Sequence, residues 1–215
     1  YRLPKLSWSV VLETTYDSVM TARAHSSDPR AERVRARLRE AAFALAHDGP
    51  VDALTVGDIV ARAGVSRQAF YQHFRDRDDA VATAVSAAFA AATADHSGDA
   101  RTRILRLFDF AAEHRSAYRN VVPSAVMPRV AGAFRAELFP ACEEIAALGV
   151  QAVTTAASLS PDAVTRFLVG GFMEVLRSWM EDPDATDLGG RVGAALDTVN
   201  ALLGLTASTN GTHHG

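Results

Sequence analysis

A chain of 215 residues, 48% of them hydrophobic, is long enough for one large or two small domains with a real core. No stretch approaches the roughly 20 apolar residues of a membrane helix, so no membrane partner is expected. One cysteine, Cys142, excludes an internal disulfide and a cysteine-based zinc site, in keeping with a reducing, cytoplasmic setting. The net charge of −3 hides an uneven distribution: residues 29–80 carry nine arginines against eight carboxylates, residues 81–215 ten against fourteen. A basic N-terminal part beside an acidic remainder can orient a protein on a polyanion.

Taken in order, residues 1–28 hold only the short apolar run Val10-Val11-Leu12 and read as an N-terminal extension that is either non-native or disordered. Asp28-Pro29 is a cap-plus-proline helix start. Val34, Leu38, Ala41, Ala42 and Leu45 then recur at helical spacing as far as Asp48-Gly49, and five arginines crowd into positions 30–39. Thr55, with Asp58 three residues on, caps a short helix whose apolar face is Val56, Ile59, Val60 and Ala63. Gly64 stands where the chain must turn, and Ser66 caps a second short helix. There Phe70 and Phe74 face inward, while Gln68 and Gln72 point away from them. Such a helix suits the major groove: Arg67, Gln68 and Gln72 toward base edges, Tyr71, His73 and Arg77 toward phosphates. On spacing alone, a helical hairpin that binds no DNA fits as well.

The residue pattern goes further. Thr55, Ile59-Val60-Ala61, Ala63-Gly64-Val65-Ser66, Phe70-Tyr71, His73-Phe74 and Arg77-Asp78-Asp79 closely resemble the DNA-binding motif of the TetR family of transcriptional regulators. The resemblance implies that Thr55, Ser66, Arg67, Gln68, Tyr71, Gln72, His73 and Arg77 meet DNA. Two departures stand out: Ala69 occupies a place where the family often has a hydroxyl, and Ala80 one where leucine is usual.

Beyond the motif, Asp76 caps a helix of alanine and valine anchored by Phe89, and Ser97-Gly98-Asp99 breaks the chain, which places a domain boundary within 90–98. The pattern then stays helical. One helix from Arg101 closes around Tyr118, an irregular stretch follows at Val121–Pro128, and further apolar faces run through Pro140, a kink site. Ser160-Pro161 opens a helix that stops at Asp182-Pro183, a last one spans Leu188–Leu205, and 208–215 is a flexible tail. The resemblance implies that the last two helices pair with a second copy across a two-fold axis, through Phe167, Gly171, Val175, Trp179, Leu196, Val199 and Leu203. The pair Gly170-Gly171 suggests close approach of another helix. It also implies a pocket among Phe108, Tyr118, Met127, Phe134, Cys142, Phe172 and Met173, with Asp109, Glu113, His114 and Arg115 on the same stretch.

The expected architecture is all-α: an N-terminal three-helix helix-turn-helix DNA-binding domain (29–80) and a C-terminal helical ligand-binding and dimerisation domain (81–207). The expected function is a homodimeric regulator, a repressor, that binds a double-stranded, two-fold symmetric DNA operator. A largely apolar small-molecule effector releases it. No nucleotide loop or compact His/Cys or paired-carboxylate motif points to an enzyme, so no catalytic residue, metal or cofactor is expected. The alternative is a helical small-molecule-binding or scaffold protein without DNA binding.

Overall fold

Asp28 begins the first helix by accepting a hydrogen bond from the Arg30 amide at 2.9 Å, with Pro29 in the first turn, and α1 runs Pro29–Asp48. The computed structural model describes residues 28–95, 97–152 and 160–205. The expectations for residues 1–27 and for 208–215 lie outside them. After a single 3₁₀ turn at Val51–Ala53 come α2 (Val56–Ala63), α3 (Arg67–His73) and α4 (Arg77–Thr93). The remainder is α5 (Ala100–Glu113), α6 (Arg115–Val121), α7 (Met127–Ala152), α8 (Pro161–Glu181) and α9 (Leu188–Leu202). No strand interrupts the described residues, and none of their helices is long and apolar enough to cross a membrane.

The helices share one apolar cluster that runs from Leu38 on α1 and Phe70 on α3 to Leu196 on α9. Helix α1 packs against α2, α3, α4 and α6, and α4 lies against α1, α5 and α7. The helix after the motif is therefore shared between the first part of the chain and the rest. Phe89 on α4 is fully buried, with ring centroids 5.4 to 5.8 Å from Phe110, Tyr118 and Phe134. Ala80, where the motif's family has leucine, is buried against this core. Next to it, a small side chain lets α4 approach its neighbours closely.

The helix expected from Arg101 to Tyr118 is two helices. His114 leaves helical geometry at φ −106°, ψ 27° and separates α5 from α6. Two long-range contacts account for the break. Its Nδ1 lies 2.9 Å from Nε2 of His47 on α1, and the next residue, Arg115, is drawn to the carbonyls that end α8. Arg115 donates to the Trp179 carbonyl at 2.8 Å, to that of Asp182 at 2.5 Å and to that of Ala185, with its guanidinium 4.0 Å over the Trp179 ring. A cation there satisfies orphan carbonyls at a helix C-terminus. Periodicity sees neither contact. Pro140 lies inside α7, which is helical on both sides of it.

Candidate nucleic-acid interface

Local chemistry builds α2 and α3 before packing orients them. Thr55 closes a reciprocal capping box: its Oγ1 accepts from the Asp58 amide at 3.2 Å, and Asp58 accepts from the Thr55 amide at 2.9 Å and hydroxyl at 2.7 Å. Those hydrogen bonds from the Thr55 hydroxyl and amide hold the Asp58 carboxyl below its ordinary value. Gly64 ends α2 at φ 62°, ψ 42°, the left-handed region that a side chain would strain. A Cβ added to Gly64 would also meet Nη2 of Arg37 at 2.8 Å, because that α1 guanidinium donates to the Gly64 carbonyl at 3.3 Å. Arg37 thus braces the turn from behind. Ser66 then accepts from the Ala69 amide at 3.1 Å and starts α3.

Phe70 and Phe74 fix which side of α3 faces out. Both are buried, with centroids 5.7 Å apart. Arg67, Gln68, Tyr71 and Gln72 are consequently exposed, Tyr71 by 59%, and His73 is half-buried. Thr55 and Ser66 sit exposed at the N-termini of α2 and α3, next to this ridge. Arg77 is placed differently from the sequence expectation. It donates to the carbonyls of Asp52 at 2.9 Å and Leu54 at 3.3 Å and pairs with Asp78 at 2.6 Å, leaving its side chain 22% exposed. Engaged in this way it ties α4 to the loop before α2 and is not a free cation at the surface. Arg67 and Arg39, by contrast, have no hydrogen-bond or ion-pair partner among the described residues.

Residues 38–82 match the model of bacterial regulatory proteins of the tetR family. That stretch is a tetR-type DNA-binding segment. Solved structures share the chain's fold at low identity. The dihydroxyacetone kinase operon activator DhaS superposes with a TM-score of 0.64 at 14% identity, covering 80% of this chain and 97% of that one. A TetR transcriptional regulator from Streptococcus agalactiae 2603V gives 0.57 at 15% identity, over 80% and 96%. A tetR-family regulator from Streptomyces coelicolor gives 0.52 at 19%, over 81% and 86%. No curated protein matches the sequence. The family is one of DNA-binding transcriptional regulators and not of enzymes. Among the described residues no three His, Cys, Asp or Glu side chains are grouped to hold a metal.

Behind the tetR-type motif, two polar contacts join it to the rest of the chain. Asp79, in the first turn of α4, accepts from Arg129 of α7 at 2.7 Å, and from the Arg75 amide at 3.1 Å and guanidinium at 3.3 Å. Burial raises the Asp79 carboxyl, but the Arg129 and Arg75 hydrogen bonds together outweigh it and bring it down to about 2. Second is the His47–His114 pair. His47 Nδ1 lies 2.9 Å from the Phe43 carbonyl, which can only accept, so neutral His47 presents Nε2 as acceptor to Nδ1–H of His114. Burial, then the neighbouring His47, lowers His114 below the ordinary imidazole value of 6.5, with Glu113 opposing. The depressed value means that the unfolded chain takes this proton first. The contact's stabilisation is therefore complete above pH 6.5 and is lost as pH falls toward the folded value. Thermal melts of the wild type should drop in Tm from about pH 8 to pH 5 more steeply than those of His114→Gln; parallel profiles would contradict this.

The other sequence-predicted sets divide. A cavity of about 390 Å³ opens between α6, α7 and α8, and Tyr118, Met127, Phe134 and Met173 line it. Phe108, Cys142 and Phe172 do not: all three are buried in the core, and burial pushes the Cys142 thiol up to about 12, far from a reactive thiolate. Asp109, Glu113, His114 and Arg115 are not on the lining either. Sequence reading missed Val122, Arg135, Leu176 and Met180 there. Met180 had a signal, lying seven residues beyond Met173 on one helix face. Of the residues expected between subunits, Trp179 and Leu196 are buried within the chain and unavailable to a partner. Phe167 is 75% exposed, Gly171 is exposed, and Val175, Val199 and Leu203 are half-buried. Leu202, missed, is 76% exposed, and with Phe167, Val164, Val199 and Leu203 it borders an apolar groove of about 300 Å³. Among the described residues nothing lies within 4 Å of a Cβ added to Gly170 or Gly171.

Proposed function

We propose that the chain works in the cytoplasm as a homodimer, with residues 29–80 as reading head and 81–207 as ligand and dimer body. It reads a two-fold symmetric operator through α2 and α3, represses transcription there, and is released when a largely apolar small molecule occupies the cavity between α6, α7 and α8. The observation that carries the reading is the outward ridge of Arg67, Gln68, Tyr71 and Gln72 on a helix whose other face is buried aromatic core. Arg67, Gln68 and Gln72 carry groups for base edges; Ser66, Tyr71 and His73 carry donors for phosphates, and Thr55, whose hydroxyl proton goes to Asp58, meets the DNA backbone only by exchanging that bond. Arg77 acts one step back, by positioning the start of α4.

Dimerisation is supported by the exposed apolar strip of Phe167 and Leu202 with Gly170 and Gly171 open beside it. Two heads held about 34–36 Å apart engage half-sites one helical turn apart. Coupling has a physical route. Met127 and Val130 line the cavity on the first turn of α7, and Arg129 between them grips Asp79 in the first turn of α4, which also holds Arg75, the residue after Phe74 at the end of α3. A ligand that shifts this turn of α7 displaces α4 and the heads. Linkage requires the bound operator to weaken the ligand by the same factor, on the order of 1–3 kcal/mol.

A gel shift on DNA upstream of the chain's own gene, with and without cell extract, tests the whole reading, and a reporter there reads the sign of regulation. Gln68→Ala is expected to relax preference at one or two base pairs, costing about 1–3 kcal/mol. Tyr71→Ala should weaken all sequences alike. Wild-type binding by both variants would remove α3 from the interface.

A further inference from the structure

We infer that the cavity between α6, α7 and α8 takes a monocarboxylic acid with an apolar tail, the tail among the methionines and the carboxylate at Arg135. This rests on the reading of that cavity as the effector site. Its volume of about 390 Å³ lies within the range of small-molecule sites, roughly 300–1,000 Å³. Three of the chain's four methionines, Met127, Met173 and Met180, line it. Unbranched thioether side chains adapt to a flexible tail and offer it no hydrogen bond of consequence. Besides the Tyr118 hydroxyl, which is buried without a hydrogen-bond partner among the described residues, the polar side chains on the lining are four charged ones, Arg135, Glu174, Arg177 and Glu181.

Those four are not equivalent. Arg177 lies between the two glutamates and binds each with two hydrogen bonds, 2.5 and 2.8 Å to Glu174 and 2.5 and 2.6 Å to Glu181. Its hydrogen bonds hold the Glu174 carboxyl below the ordinary value. Both carboxylates are therefore engaged, and an ammonium headgroup would have to compete with a guanidinium for them. Arg135, on α7, is exposed and has no hydrogen-bond or ion-pair partner among the described residues. A planar, permanently charged fork of donors beside an apolar chamber is complementary to a carboxylate on an apolar tail.

Isothermal titration of the full chain with decanoate, decanol and decyltrimethylammonium tests the inference. Decanoate should bind about two- to fivefold tighter than decanol, the scale of one solvent-exposed ion pair, with the cation weakest. Arg135→Gln should bring decanoate down to the level of decanol and leave decanol unchanged. Met173→Trp, which fills the chamber, should abolish binding of all three, its thermal melt checking that it folds. Equal binding of decanoate and decanol, or preference for the cation, overturns the ligand class and leaves the cavity reading standing. No binding by any of the three, or binding undiminished in a folded Met173→Trp, overturns both.

Discussion

Truncating Phe89 to alanine is expected to destabilise the chain by about 3–5 kcal/mol, the usual cost of a phenylalanine-sized hole in a packed core. Phe89 is fully buried and touches three aromatic rings from α5, α6 and α7. It also borders a small cleft lined by Phe43, Val85, Phe110 and Tyr118, so the hole left behind adds to space already empty. Because α4 belongs both to the motif's core and to that of the body, the loss should appear as one cooperative transition in urea, followed by fluorescence and by circular dichroism. In a domain of this size each kcal/mol lowers Tm by about 2–4 °C. A loss below about 1 kcal/mol would mean that α4 does not hold the two parts together.

Placing aspartate at both Phe167 and Leu202 is expected to yield a folded monomer whose operator affinity is lower by about a hundredfold or more, the factor by which a second linked contact raises binding. Both side chains are about three-quarters exposed, so the substitutions remove little from the chain's own core. Across a two-fold axis each added carboxylate would instead meet apolar surface or its own mate, and burying it there unpaired is costly. Sedimentation equilibrium reads the association state and a gel shift the affinity. A wild type that sediments as a monomer, or a double variant that remains a dimer, would move the interface off this face.

The motif was legible at the level of single residues because its requirements are local. Thr55 and Asp58 cap each other three residues apart, Gly64 supplies a left-handed turn, and Phe70 with Phe74 sets the inward side of α3, all within hydrogen-bond or single-turn distance. Helix existence in the body was equally legible from 3.6-residue periodicity and from the caps at Asp28, Ser160 and Asp182. The break at His114 was not, since it is made by His47, 67 residues earlier, and by carbonyls at the end of α8. Arg77 shows the same limit in the motif itself: its charge was visible, but its partners Asp52 and Leu54 lie more than 20 residues away.

The amino-acid order was sufficient for the all-helical class, the helix α3 with its outward residues, and the tetR-type motif, because capping, turn chemistry and amphipathic spacing act over a few residues. Packing across the chain settled how the apolar surface is divided. Trp179 and Leu196 carry the same hydrophobic signal as Phe167 and Leu202, yet the first pair is core and the second faces solvent. Phe108 and Phe134 are both aromatic and buried, and only Phe134 borders the cavity. Hydrophobicity says that a side chain leaves water. Which surface it leaves water against depends on the crossing of helices far apart in sequence, and no local pattern records that.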